Sequence, residues 1–403
     1  MAAHSLYVGI NAQLVSFART YRNAGVSRYT STLLAGLTGL DPEQVGQRYT
    51  AFMGRREVDA ARAGLLAGER RLRIVASRWP TAHPALRVPW EQVALPILLR
   101  RLGIEVFHSP VNVLPARLPC AALVTIHDLA FLYYPQHLRP ARRLYQRLLT
   151  THSARAATRV VAVSEHTRRD LIAHFRVPPE RVRVIPPAID RDFQPIDDPA
   201  TLAVFRARHG LPARYLLFLG TLEPRKNLPT LLDAYARLRA LDAEAPPLVI
   251  AGAKGWYYQA VFDHVRRLGL ERHVTFAGYV AREEQPLWYA AAQLFVYPSL
   301  YEGFGLPVVE ALACGTPTLT SSLSSLPEAG GPAAHYVDPN DREALAHAMQ
   351  SALADTMVRE RAREEGPCWA RQFSSVRMAR AYTDVYSEAA GTWRRASGRK
   401  PGR

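Results

Sequence analysis

Short apolar runs and amphipathic helical stretches alternate along this chain from residue 5, break at Pro186 and Pro187, and then start again. Alternation of this kind is the βαβ rhythm of a parallel sheet covered by helices on both faces. In the first half, residues 6–11, 49–53, 73–76, 106–108, 122–126, 160–163 and 182–185 read as strands, and 26–40, 89–102, 140–157 and 166–175 as helices. The polar stretch 190–199 reads as a linker. Beyond it, 215–219, 248–251, 274–277, 294–297 and 316–320 read as strands between helices at 228–240, 257–268, 283–292 and 306–313, and 341 to 390 reads as helical throughout. A chain of 403 residues is too long for one ordinary core and suits two domains of roughly 200 residues. The expectation is an α/β protein of two doubly wound parallel-sheet domains, 1–190 and 191–373, followed by a basic, disordered tail from 391 to 403.

One segment carries chemistry on its face. Glu302 and Glu310 stand with seven residues between them, separated by the turn Gly303-Phe304-Gly305 and by the start of an apolar helix with Pro307 in its first turn. The amides of a helix start attract phosphate. Carboxylates on either side must then bind something else, and sugar or ribose hydroxyls suit them, because an ionised carboxylate accepts two hydroxyl hydrogen bonds at once. Arg225 and Lys226 follow the strand that ends near Gly220 and precede a helix with Asn227 at its N-cap, which offers two positive charges beside backbone amides. A diphosphate needs that. The chain has three lysines, Lys226, Lys254 and Lys400, and two fall in loops of this kind. Each loop leaves the carboxyl end of a strand, where open parallel sheets place their ligands.

The run from Tyr297 to Glu310 resembles the Glu-x7-Glu signature of the retaining glycosyltransferases of family 4, whose GT-B fold has two Rossmann-like domains facing a cleft. Four further segments resemble that family in the same order: 23–29 and 126–128 in the first half, 220–227 and 251–256 in the second. The resemblance implies that Glu310 accepts hydrogen bonds from the ribose and Glu302 from the transferred sugar, while the amides of Phe304, Gly305 and Leu306 line sugar and phosphate. It implies donor-side loops at Gly220 and Lys254, a base facing Gly278 and Val280, and a backbone approach to the donor at Gly25. His127, with Asp128 to orient its ring, would lie against the sugar, and Arg225 and Lys226 would stabilise the leaving diphosphate. Residues 374–390 would form a helix crossing back to the first domain.

The implied reaction is metal-independent hexosyl transfer by a front-face route, in which the leaving phosphate helps deprotonate the acceptor and no enzymic nucleophile is needed. None of these five segments contains an Asp-x-Asp, so no metal site is expected, and the nucleotide-sugar is a co-substrate rather than a cofactor. Residues 127–135 with Lys254, Gly255 and Trp256 resemble the mannosyltransferase-like branch. The expected function is transfer of mannose from GDP-mannose to a glycan or lipid-linked acceptor in cell-surface polysaccharide synthesis. A UDP- or ADP-sugar donor, and a non-catalytic nucleotide-sugar-binding scaffold, are the alternatives. An NAD-dependent oxidoreductase is disfavoured, since no G-x-G-x-x-G follows the first strand.

Charge sharpens the choice of partners. Residues 1–190 hold 26 Arg and no Lys against 12 acidic residues, whereas residues 191–403 hold 25 basic against 23 acidic, so the first half carries nearly all of the +16 excess. Its densest stretch, Arg139 to Arg147 and on to Arg155 and Arg159, reads as a helix with one basic face, suited to anionic lipid headgroups or simply to water. It lacks the aromatic interleaving of a nucleic-acid platform. Three scattered cysteines, Cys120, Cys314 and Cys368, suggest neither disulfides nor zinc, and no apolar run approaches the roughly 20 residues of a spanning helix. The expected home is the cytoplasm, with peripheral contact at the inner face of the membrane.

Overall fold

Among the residues that the computed structural model describes, 5–17, 25–41, 45–63, 72–77, 79, 81, 83–137, 140–256 and 258–398, thirteen strands form two wholly parallel sheets. Asn23, Ala24, Arg139 and Tyr257 lie outside the described residues, as do 399–403. The chain divides into two compact units, one made of residues 1–188 with 375–403 and the other of residues 189–374.

In the first unit, β1 (Leu6–Asn11), β2 (Gln47–Met53), β3 (Leu72–Ala76), β4 (Val106–Ser109), β5 (Ala121–Ile126), β6 (Arg159–Ala162) and β7 (Val182–Val184) lie in the order β3-β2-β1-β4-β5-β6-β7. In the second, β8 (Leu216–Leu219), β9 (Leu248–Ala251), β10 (Val274–Gly278), β11 (Leu294–Tyr297), β12 (Thr318–Ser321) and β13 (His335–Val337) lie in the order β10-β9-β8-β11-β12-β13. Both orders place the first strand of the unit beside the fourth, which is the Rossmann arrangement. The central strands are apolar end to end because helices cover both faces: β8 (Leu-Leu-Phe-Leu), β9 (Leu-Val-Ile-Ala) and β11 (Leu-Phe-Val-Tyr) are buried at every position.

Three expectations need correction. The sixth strand of the second unit, β13, escaped notice because it is three residues long with His335 and Tyr336 exposed, so neither alternation nor an apolar run marks it. The stretch 190–198 holds neither helix nor strand, but the helix that follows it, Pro199–Arg208, was not expected: Asp198 accepts hydrogen bonds from the amides of Ala200 (3.2 Å) and Thr201 (3.1 Å), and Pro199 begins the helix. Disorder was expected from Gly391, yet the helix Ser375–Ser397 runs on to Ser397. Arg394 is held there by an ion pair with Glu105, a partner that composition cannot reveal.

That last helix is part of the first unit. It packs on the helix Val26–Thr38 and on β5. The two helices approach so closely at Gly36 that a Cβ would overlap the Ser375 carbonyl. Glu388 on its outer side pairs with Arg159 (3.3 Å) and Arg183 (2.9 Å). Inside, a chain of buried polar groups ties it to the sheet. The Tyr386 hydroxyl meets His108 Nδ1 (2.8 Å), His108 Nε2 meets Thr125 Oγ1 (2.8 Å), Thr125 Oγ1 meets the Tyr382 hydroxyl (2.8 Å), and Tyr382 meets the hydroxyl of Tyr29. Burial, aided by the nearby His127, pushes the His108 pKa down to about 3, so the ring is neutral and bridges its two neighbours with one proton.

Candidate active site

In the second unit the strand order reverses between β8 and β11, and the loops leaving their carboxyl ends meet there. The β8 loop runs from Gly220 through the tight turn Pro224–Lys226 to Asn227, which is left-handed (φ 59°) and starts the helix Leu228–Leu241. Asn227 occupies the N-cap position, but its side chain does not cap. It donates to the Pro339 carbonyl (2.6 Å) and accepts from Thr230 (2.8 Å), which fixes the loop to a distant segment. From the β11 side, the Leu300 amide donates to the Arg225 carbonyl (2.8 Å), and the Ser299 hydroxyl oxygen lies 3.0 Å from the same carbonyl.

The β9 loop closes on the other flank. Leu222 donates to the Ala253 carbonyl (3.0 Å), and Gly252 donates to the carbonyl of Gly278 (2.6 Å) at the end of β10. Gly252 has φ 145°, and a Cβ there would overlap the Gly220 carbonyl. Loops from four adjacent strands are thus stacked backbone to backbone.

At their centre sits Glu302, 7 % exposed. Its Oε1 accepts from Lys226 Nζ (2.5 Å), the Ser299 hydroxyl (2.8 Å) and the Tyr297 hydroxyl (3.0 Å), and its Oε2 accepts from Arg225 Nη1 (2.6 Å). Arg225 Nη2 pairs with Glu223 (2.6 Å), and Lys226 also donates to the Tyr297 hydroxyl (2.5 Å). Burial alone would raise the Glu302 pKa; Arg225 and Lys226 overcome it and hold the carboxyl at about 2, against 4.5 ordinarily. Because the folded value is depressed, the stability this group contributes is present above pH 4.5 and fades as pH falls through about 2. Burial, then Arg225, push the Lys226 ammonium the other way, toward losing its proton, while Glu302 opposes them. With cations at 2.5 and 2.6 Å, the ionised carboxylate is the firm member of the pair. Burial and then the Glu302 charge push the Tyr297 phenol well above its ordinary value, so it remains a hydroxyl.

The turn after Glu302 is fastened by the β12 loop. Ser324 donates to the Glu302 carbonyl (2.7 Å), the Ser325 hydroxyl lies 2.9 Å from the carbonyls of both Glu302 and Phe304 and shares its one proton between them, and the Glu302 amide donates to Ser324 (3.0 Å). Gly305 (φ 112°) then opens the helix Leu306–Ala313, where a Cβ would lie 2.7 Å from Leu326. Glu310, on that helix, is 2 % exposed and accepts from the Tyr289 hydroxyl (3.2 Å).

The remaining predicted positions are less tightly joined. Lys254 meets the β8 loop through its backbone, bridged to Leu222, while its ammonium lies over the rings of Tyr258 (5.1 Å) and Phe262 (5.7 Å). Gly278 is left-handed (φ 74°) and ends β10; Val280 is buried, and the half-exposed side chain beside it is Tyr279. In the first unit, Gly25 (φ 58°) stands at the N-cap of Val26–Thr38. His127, after β5, has its ring held by the Pro110 carbonyl at Nε2 (2.7 Å) and by the edge of Tyr29 (4.6 Å between centroids). Asp128 does not orient that ring, because its carboxylate accepts from the Ala130 amide (3.1 Å). A carbonyl can only accept, so Nε2 carries the proton and Nδ1 is left as an acceptor. Burial lowers the His127 pKa and favours this neutral form, with Pro110 and Asp128 opposing.

Sequence reasoning missed Glu223, Tyr297, Ser299 and Ser324 as parts of the cluster. Tyr297 and Ser299 lie inside the signature run and Glu223 two residues before Arg225, but contacts across 71 to 77 residues leave no periodic trace.

Comparison with known proteins covers both halves. Residues 204–369 match the family described as "Glycosyl transferases group 1", and residues 23–193 match "Glycosyltransferase Family 4". The chain is 36 % identical over 311 residues to O-antigen chain mannosyltransferase B of Escherichia coli, covering 77 % of this chain and 79 % of that one. Among solved structures it is similar to sucrose-phosphate synthase from Thermosynechococcus elongatus (TM-score 0.72, 21 % identity, 95 % of this chain and 98 % of that one). It is also similar to Anabaena Alr3699/HepE in complex with UDP-glucose (TM-score 0.69, 17 % identity, 95 % and 100 %).

Proposed function

This chain belongs to glycosyltransferase family 4 and has the GT-B fold, and from that premise we propose that it transfers mannose from GDP-mannose to a glycan or lipid-linked acceptor in cell-surface polysaccharide synthesis. The observation that carries the reading is the Arg225, Lys226 and Glu302 cluster at the strand-order reversal. Two cations and a helix start are suited to a diphosphate, and two buried carboxylates, Glu302 and Glu310, are suited to sugar and ribose hydroxyls. In the reaction the bond from the anomeric carbon to the diphosphate oxygen breaks, and a bond to the acceptor oxygen forms on the same face. The acceptor proton passes to the departing diphosphate. Arg225 and Lys226 stabilise the charge that develops on that oxygen, which is the work a metal would otherwise do. Neutral His127, with Nδ1 as acceptor, is suited to a hydroxyl and adds no charge. The mannosyl donor is favoured by the Escherichia coli relative, and the UDP-glucose complex of the Anabaena protein keeps a uridine donor as the rival.

A thermal-shift panel of GDP-mannose, UDP-glucose and ADP-glucose tests the donor. A ligand at 100 times its dissociation constant stabilises by about 2.7 kcal/mol, so GDP-mannose is expected to give the largest rise in Tm. A larger shift with UDP-glucose would reassign the base.

Membrane contact is the second part of the proposal. The helix Pro140–Ala156 exposes Leu144, Tyr145 and Leu148 beside Arg143 and Arg147, an apolar and basic face suited to the surface of an anionic bilayer. No helix of the described residues is long and apolar enough to cross one. Sedimentation with vesicles containing anionic lipid is expected to carry the protein down at low salt and to release it at high salt. Equal sedimentation with neutral vesicles would contradict the electrostatic part.

A further inference from the structure

The cluster between the β8 and β11 loops pairs its charges within the protein. Lys226, Tyr297 and Ser299 all donate to Oε1 of Glu302, and Arg225 donates to Oε2. Oε1, with three donors, has no lone pair left for a sugar hydroxyl, and Oε2, with Arg225 on it, keeps room for one more donor. Equally, Arg225 Nη1 and Lys226 Nζ, the two cationic groups suited to a diphosphate, are already neutralised by that same carboxylate, at 2.6 and 2.5 Å. Donor and Glu302 therefore compete for one position.

We propose that donor binding is an exchange of ion-pair partners, in which Glu302 is the resident anion between Arg225 and Lys226 and the incoming diphosphate takes both cations from it. The freed lone pairs of Glu302 then accept from the sugar hydroxyls. Ser299 and Tyr297 stay on Oε1 and keep the carboxylate anchored while it changes partners. Glu223 is not exchanged: its side chain, 8 % exposed, holds Nη2 of Arg225 at 2.6 Å and keeps the guanidinium aimed while Nη1 is released. Glu223 is thus a positioning residue. No covalent bond changes in this step. The inference rests on the donor reading given above, and it predicts that a bare nucleoside diphosphate pays for displacing Glu302 without recovering the sugar contact.

Calorimetric titration of wild type, E302Q and E223Q with GDP, UDP and ADP, without any sugar, separates the possibilities. E302Q is expected to bind the diphosphate that wild type binds about tenfold more tightly, because a neutral amide no longer competes for the two cations. E223Q removes a charge from the same guanidinium and is expected not to tighten binding. Unchanged or weaker binding by E302Q overturns the exchange, and so does equal tightening in E223Q, which would reduce the effect to general charge. If circular dichroism shows E302Q unfolded, E302A supplies the same comparison with the same two outcomes. Failure of wild type to bind any of the three nucleotides would overturn the donor reading and this proposal with it.

Discussion

Replacing Lys226 with alanine is expected to lower kcat for transfer by about 10²–10³-fold, the usual cost of removing one donor that stabilises developing negative charge. The variant should also weaken nucleotide binding, since the ammonium is half of the cationic pair suited to the diphosphate. Its second effect is on the fold. Lys226 is 6 % exposed and donates to both Glu302 and Tyr297, so its removal leaves a buried carboxylate with Arg225 as its single cation. Breaking a buried pair from one side costs about 3–5 kcal/mol, and a fall in Tm should accompany the loss of transfer. Initial-rate kinetics, a nucleotide titration and a thermal melt together test the assignment. Wild-type transfer by a stably folded K226A protein would remove Lys226 from the chemistry.

The other large effect is expected at Gly252. Its φ of 145° is a region that residues with a Cβ rarely adopt, and an added methyl group would overlap the Gly220 carbonyl, which is backbone and cannot rotate away. Gly252→Ala must push the β8 and β9 loops apart, breaking the 2.6 Å bond from Gly252 to Gly278 and the stacking that supports Arg225 and Lys226. The expected destabilisation is about 3 kcal/mol or more, combining overpacking with backbone strain, with loss of nucleotide binding alongside. Gly278→Ala is the control. Its φ is 74°, but nothing lies within 4 Å of the new methyl group, so it should cost about 1–2 kcal/mol of backbone strain alone. Equal thermal melts for the two variants would show that the close approach at Gly252 is relieved cheaply.

The sequence was most readable where burial is most uniform. β8, β9 and β11 are apolar at every position, so length and flanking turns mark them, whereas β13 presents His335 and Tyr336 to solvent and leaves no pattern. The helix Pro199–Arg208 was hidden because Asp198 and Pro199 serve a helix start and a linker equally well. At the site, Glu302, Glu310, Arg225 and Lys226 could be singled out from local spacing and from loops that follow strand ends. Their pairing could not. Which carboxylate meets which cation depends on β8 lying beside β11, a matter of strand order that no local signal encodes. The same holds for His127, whose adjacent aspartate looked like its partner until the fold brought the Pro110 carbonyl to the ring.

The histidine that joins Thr125 to Tyr386 has a consequence for how the protein is made. Residues 189–374 are contiguous, whereas the unit that begins with β1 lacks Tyr382 and Tyr386 until the residues after 374 have been made. Until then His108 and Thr125 face a groove without their hydroxyl partners, and helix Val26–Thr38 has no neighbour at Gly36. Of the two units, the one begun earlier is therefore the one completed later.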